Sequence, residues 1–195
     1  MKQTFFKSIA FAAVAFGIAA CAQPELPQDN YYRLEVTAPA AGTPLLNGVL
    51  EVDRFRADGL ISGRPIVFTE GNGYLSEYHY HFWVEPPVDL LQDAMVNYLR
   101  AANLAHHVVT PELRMKEDFL LTGKIKRLER DLTDGTKVAV ELEIGLKSVK
   151  EDKILVLKTY NRVLDQTTKG VNGAVQAMNA ALADIYGEFL NDVRS

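Results

Sequence analysis

The chain has 195 residues, 21 Lys and Arg against 25 Asp and Glu, and one cysteine. A net charge of −4 argues against nucleic acid as a partner, because that affinity comes mainly from neutralising phosphates. One cysteine leaves no intrachain disulfide, so the domain must be held by its core alone.

Residues 1–20 read as a secretory signal, with Lys2 and Lys7 at its start, an apolar segment from Phe5 to Ala20 and small residues at its end. The segment contains Lys7 and Ser8 and is shorter than the ~20 apolar residues of a spanning helix. Cys21 directly follows Gly17-Ile18-Ala19-Ala20, which turns the cleavage site into a lipobox: the thiol is expected to be acylated and to become the new N-terminus. Acyl chains gain ~0.8 kcal/mol per buried CH2, and two or three of them anchor stably. Position 22 is Ala rather than Asp, which under enteric-type sorting directs a lipoprotein to the periplasmic face of the outer membrane rather than the inner membrane. Loss of Lys2 and Lys7 leaves 19 basic residues against 25 acidic, a charge of about −6. Residues 21–30 comprise the lipidated cysteine and a polar tether with two prolines. Residues 31–195 read as a single domain.

Within the domain, Tyr31–Val36 is the first predicted strand. Val49–Phe55 follows, with Leu50 and Val52 on one face and Val49, Glu51 and Phe55 off it. Gly59 and Gly63 mark a turn region, Pro65–Thr69 a short strand and Gly71-Asn72-Gly73 another turn. Tyr74–Val84 alternates, placing Tyr78, Tyr80 and Phe82 on one face and Leu75, His79, His81 and Trp83 on the other. Pro86-Pro87 stops that strand and opens a helix to Leu104, whose apolar stripe is Val88, Leu91, Met95, Tyr98, Leu99 and Ala102. Phe119–Arg130 and Thr136–Ser148 flank Asp134-Gly135, a hairpin signal. Glu151-Asp152 turns into Ile154–Tyr160. A last helix runs from about Val171 to Val193, with Val171, Val175, Met178, Leu182, Ile185 and Phe189 on one face. This order predicts an α+β fold, a largely antiparallel sheet with two amphipathic helices packed on one face.

Chemical motifs are sparse. His79 and His81 share a predicted strand face, but neither a second cysteine nor a helical HExxH supplies the remaining ligands of a zinc site. No metal or other cofactor is therefore expected. Glu141 and Glu143 share a face that reads as solvated. Lys124, Lys126, Arg127 and Arg130 lie on one strand, three of them on its even-numbered face, which also reads as a solvated sheet surface. No GxSxG elbow, P-loop or GxGxxG is present. The reading is a non-enzyme. Exposure logic selects Arg54, Arg64, Trp83 and Glu85 as candidate interface residues, with Trp83 as an anchor.

Several runs recur together: Tyr31-Tyr32-Arg33-Leu34, Gly48–Val52, Arg54–Leu60, Gly63–Val67, Tyr78-His79-Tyr80, Trp83-Val84-Glu85-Pro86-Pro87 and Ala177–Leu182. With the lipobox, they resemble the ABC-type transport auxiliary lipoprotein family over nearly the whole domain. That resemblance implies a non-enzymatic, lipid-anchored component of an envelope transport system, in which MCE-domain proteins conduct lipids between inner and outer membranes. It further implies docking of the conduit at the outer membrane, as a homo-oligomer. Only Cys21 carries over as a functional residue. Two other readings fit the same architecture, a stand-alone lipid-binding lipoprotein and an outer-membrane barrel-assembly lipoprotein.

Overall fold

A computed structural model describes residues 26–133 and 136–195. Cys21, the signal segment and the Asp134-Gly135 turn lie outside the described residues. Among the described residues, nine strands and two α-helices follow one another as β1 (Asn30–Tyr32), β2 (Leu46–Val52), β3 (Arg56–Ala57), β4 (Pro65–Thr69), β5 (Leu75–Trp83), α1 (Pro87–Ala101), β6 (Ala105–Val109), β7 (Phe119–Asp131), β8 (Lys137–Ser148), β9 (Lys153–Asp165) and α2 (Gly170–Arg194). Among the described residues, no helix is long and apolar enough to cross a membrane.

The sheet is organised by β7. Along one edge β7 pairs antiparallel with β8 over its whole length, and β8 pairs antiparallel with β9. Three short strands share the other edge in series: β2 at Phe119–Leu121, β3 at Lys124–Ile125 and β4 at Glu129–Asp131. All three are parallel to β7. The sheet is therefore mixed, which corrects the expectation of a largely antiparallel one. The cause is that the chain from Leu46 to Thr69 keeps one direction beside β7, interrupted by a 3-10 turn at Gly59–Ser62 that sends Ile61 into the core. Two further parallel pairs, β2 with β6 and β1 with β5, and the antiparallel pair of β4 with β5 complete the pattern among the described residues.

Both helices share one hydrophobic core with the sheet. From α1 come Val88, Leu91, Met95, Tyr98 and Leu99, the predicted stripe. From α2 come Val171, Ala174, Met178, Leu182, Ile185 and Phe189, again at helical spacing. Val138, Val140, Leu142, Ile144 and Leu146 of β8 are all fully or almost fully buried, in accord with strand alternation. The helices touch where Tyr98 meets Tyr186 edge-on at 5.5 Å, while the Tyr186 hydroxyl donates to Leu91 O at 3.2 Å. That bond answers the need of a fully buried hydroxyl for a partner.

Two register irregularities change which residues share a face. Between Ile125 and Arg127 the β7–β8 ladder slips. The four cations of β7 consequently do not form a stripe. Lys124 meets Asp58 at 2.7 Å, Lys126 meets Glu141 at 3.2 Å, Arg127 meets Glu129 at 2.6 Å, and Arg130 donates to the Tyr78 hydroxyl at 2.8 Å. Between Pro65 and Val67 the β4–β5 ladder also slips. The shift is three residues on β5, and a slip by an odd number of residues reverses the faces of a strand. Tyr80 is accordingly exposed, Phe82 stacks on Tyr31 at 5.8 Å, and Trp83 is only 2% exposed.

Candidate functional site

The four residues selected from the sequence converge on the junction between β5 and α1. Pro86 and Pro87 set the junction: Pro87 is the first helical residue, where an absent N–H costs nothing. Backbone N–H groups of Asp89 and Leu90 close on Pro86 O at 3.0 and 3.2 Å. Asp89 thus stands in the first turn of α1, where a carboxylate is favoured by the helix dipole.

Arg54 follows β2 and grips Asp89 as a two-pronged fork, Nε to Oδ1 at 2.6 Å and Nη2 to Oδ2 at 2.8 Å. Asp89 holds the guanidinium protonated more firmly than usual, chiefly by these hydrogen bonds. Arg64 approaches the same junction through Trp83. Its Nε donates to Trp83 O at 3.1 Å, and its guanidinium carbon sits 5.6 Å from the Tyr31 ring centre. Trp83 N–H in turn donates to Arg64 O at 2.7 Å. Two exposed arginines therefore clamp the two ends of the run Trp83–Asp89, and Glu85 projects between them into solvent.

Trp83 is the correction within this set. It was expected as an exposed anchor, but its indole lies inside the core, moved there by the β4–β5 slip. Arg54, Arg64 and Glu85 are exposed, as expected. Asp89 was missed; its signal was an acidic residue two positions after the second proline, the place for a dipole-facing carboxylate. An open cleft of about 580 Å3 adjoins the clamp, lined among others by Arg54, Arg56, Asp58, Pro86 and Val88. Its charges are balanced locally: Lys124 bonds Asp58 and holds that carboxyl below its ordinary range. Asp53 and Ser62 also line this cleft, and the Ser62 hydroxyl donates to Gly59 O at 2.6 Å.

The histidines of the HYH run part company. His79 is exposed against Tyr80. His81 Nδ1 shares a 2.8 Å hydrogen bond with the Tyr32 hydroxyl and meets Tyr78 edge-on, and burial lowers its pKa. Among the described residues, no group of three or more His, Cys, Asp and Glu is placed to hold a metal ion.

The fold has close structural relatives. Protein XCC0632 from Xanthomonas campestris, of family DUF330, superposes with a TM-score of 0.74 at 20% identity, covering 83% of this chain and 92% of that one. An uncharacterized protein of known structure superposes with a TM-score of 0.68 at 16% identity, covering 85% and 99%. At these identities the likeness concerns fold alone. Among curated proteins, none matches the chain significantly. Residues 32–188 match the family described as the ABC-type transport auxiliary lipoprotein component.

Proposed function

The chain belongs to the ABC-type transport auxiliary lipoprotein family, and on that premise we propose that it is a lipid-anchored, non-enzymatic adaptor of an ABC-type envelope transport system. In this reading Cys21 carries the acyl anchor and the protein stands on the periplasmic face of the outer membrane. Its partner is an MCE-domain protein that conducts lipids from the inner membrane, and the adaptor works as a homo-oligomer. The observation that carries the proposal is the family match over residues 32–188, nearly the whole described domain. Architecture supports it: the helices and sheet fill their shared core with side chains, and the charged residues at the β5–α1 junction serve to hold a surface in shape. Arg54, Arg64 and Glu85 on that surface are the proposed contacts.

The test is purification of the full-length protein, tagged after Ser195, from its native envelope in mild detergent, with identification of what accompanies it. Recovery of an MCE-domain protein, lost with Cys21→Ala, is the expected result. Recovery of an outer-membrane barrel or of bound phospholipid, with no MCE-domain protein, would replace the adaptor reading with barrel assembly or stand-alone lipid binding.

A further inference from the structure

Strand register decides which end of the sheet meets the chain that leads from Cys21. Leu75 stands opposite Thr69, Thr69 opposite Asp131, Asp131 opposite Lys137 and Lys137 opposite Asp165, a row that closes one end of the sheet. Phe119, Ser148 and Lys153 close the other end, about 40 Å back along the 13 residues of β7. β5 runs away from the first end, and β1 runs parallel to it with Asn30 beside His81. The chain before Asn30 therefore arrives from the first end. Tyr31 is opposite Phe82 and so level with Pro65, which puts it ~13 Å from the first end and ~27 Å from the second. The chain from Cys21 to Asn30 spans at most ~32 Å. That length covers the first end with slack, whereas the second would need the tether to reverse and run fully extended. Apolar side chains stand exposed along the same approach: Leu26 is 86% exposed, Tyr74 75% and Tyr80 45%, and Leu75 follows Tyr74. The Thr69 hydroxyl donates to Tyr74 O at 2.9 Å, which holds the β4–β5 turn, and Asn30 Nδ2 donates to Tyr80 O at 3.3 Å, where the incoming chain joins the sheet.

We propose that this corner, with Leu26, Tyr74, Leu75 and Tyr80, is a seat on the zwitterionic phospholipid surface that holds the acyl chains of Cys21. This rests on the lipid-anchor reading above and adds the contact surface and the orientation. The tether selects the occupant: a membrane entered at Cys21 is kept next to this corner, so even weak contacts are made at high effective concentration. The residue types fit it, because a tyrosine pairs an apolar ring with a hydroxyl and suits the boundary between acyl chains and headgroups. Charge narrows the lipid class. Asp29, Glu70 and Glu77, which flank these side chains in the chain, are exposed and acidic. An anionic leaflet attracts basic segments and repels such carboxylates, whereas the cationic end of a zwitterionic headgroup matches them. With the corner on the bilayer, β5 runs away from it. The β5–α1 junction, with Arg54, Arg64 and Glu85, is then held clear of the lipid where a partner can reach it.

The test uses the full-length protein, purified from its native envelope in mild detergent and reconstituted in phosphatidylcholine vesicles. Acylation leaves Cys21, the one cysteine, without a free thiol, so Ser76→Cys beside the corner and Lys150→Cys in the β8–β9 turn each take one fluorescent label. Both positions are exposed. Phospholipid bearing a nitroxide is expected to quench the Ser76 label, whose emission shifts to the blue, and to leave the Lys150 label unchanged. Adding Tyr74→Ser and Tyr80→Ser should abolish that quenching while the protein still floats with the vesicles. Because both rings are exposed, this variant should keep the parent's circular dichroism and melting temperature. Replacing part of the phosphatidylcholine with phosphatidylglycerol should lower the quenching. Quenching at neither site, at Lys150 instead, undiminished in the tyrosine variant or raised by phosphatidylglycerol would overturn the seat while leaving the anchor standing. A parent that takes up label at Cys21 itself and does not float with the vesicles would overturn both.

Discussion

Gly123 shows how closely one residue can be dictated by another far away in the chain. It lies in the middle of β7, and a Cβ added there would come within 2.5 Å of the Phe55 ring. Gly123→Ala is expected to destabilise the domain by about 1–3 kcal/mol through overpacking, measured by urea denaturation, with part of the loss recovered when Phe55→Leu is combined with it. Phe55 was read from alternation as lying off the core face, yet it is 2% exposed. The strand ends at Val52, and the chain turns before Phe55, so the parity carried over from β2 no longer applies. Trp83 fails in the same way through the β4–β5 slip. Its truncation to Ala is expected to cost about 3–5 kcal/mol. Lost partner binding in that variant would therefore report a damaged core. Glu85→Lys is the cleaner probe: the side chain is exposed, and the melting temperature should stay at the parent value while partner recovery falls.

Between elements, the seam of α2 and β9 is the most charged contact. Lys158 reaches Glu188 at 2.8 Å and Asp192 at 2.9 Å, Arg162 also pairs with Glu188, and the Tyr160 hydroxyl donates to Asp192 at 2.8 Å. Hydrogen bonds from Lys158, then from Arg162 at Glu188 and Tyr160 at Asp192, hold both carboxyls below their ordinary values of 4.5 and 3.8. A folded-state pKa that is depressed adds stability above the unfolded value and loses it as pH falls through the folded one. A Glu188→Gln/Asp192→Asn variant should thus melt below the parent at pH 7, and the difference should narrow as pH falls below the ordinary values of 4.5 and 3.8 towards the depressed folded ones. A difference that does not change with pH would show that the network contributes nothing through ionisation. Most elements here were legible. Helical periodicity marked α1 and α2, and two-residue alternation marked β8, because each buries one continuous face. The strand β6 was missed: its five residues follow Asn103, which is left-handed at φ 54°, and the exposed His106 and His107 hide the buried Val108 and Val109. The β-branched pair after an asparagine turn was the available signal.

For the whole molecule, the proposed anchor makes a prediction of its own. Cys21→Ala should move the protein from the membrane pellet to the soluble periplasmic fraction, and the native N-terminal peptide should carry the added mass of acyl chains on Cys21. An unmodified Cys21 peptide would sink the anchored-adaptor reading. The sequence by itself determined the family, the helix faces, most strand positions and the exposed arginines, because these follow from residue type and from spacing along a few neighbouring positions. Only the tertiary structure decided that the sheet is mixed, that Trp83 is core, that Arg54 and Arg64 clamp one junction, and that, among the described residues, β9 pairs with β8 alone. Strand direction, register slips and the edges of a sheet arise from pairing between residues tens of positions apart, and local periodicity contains no record of which segments will meet.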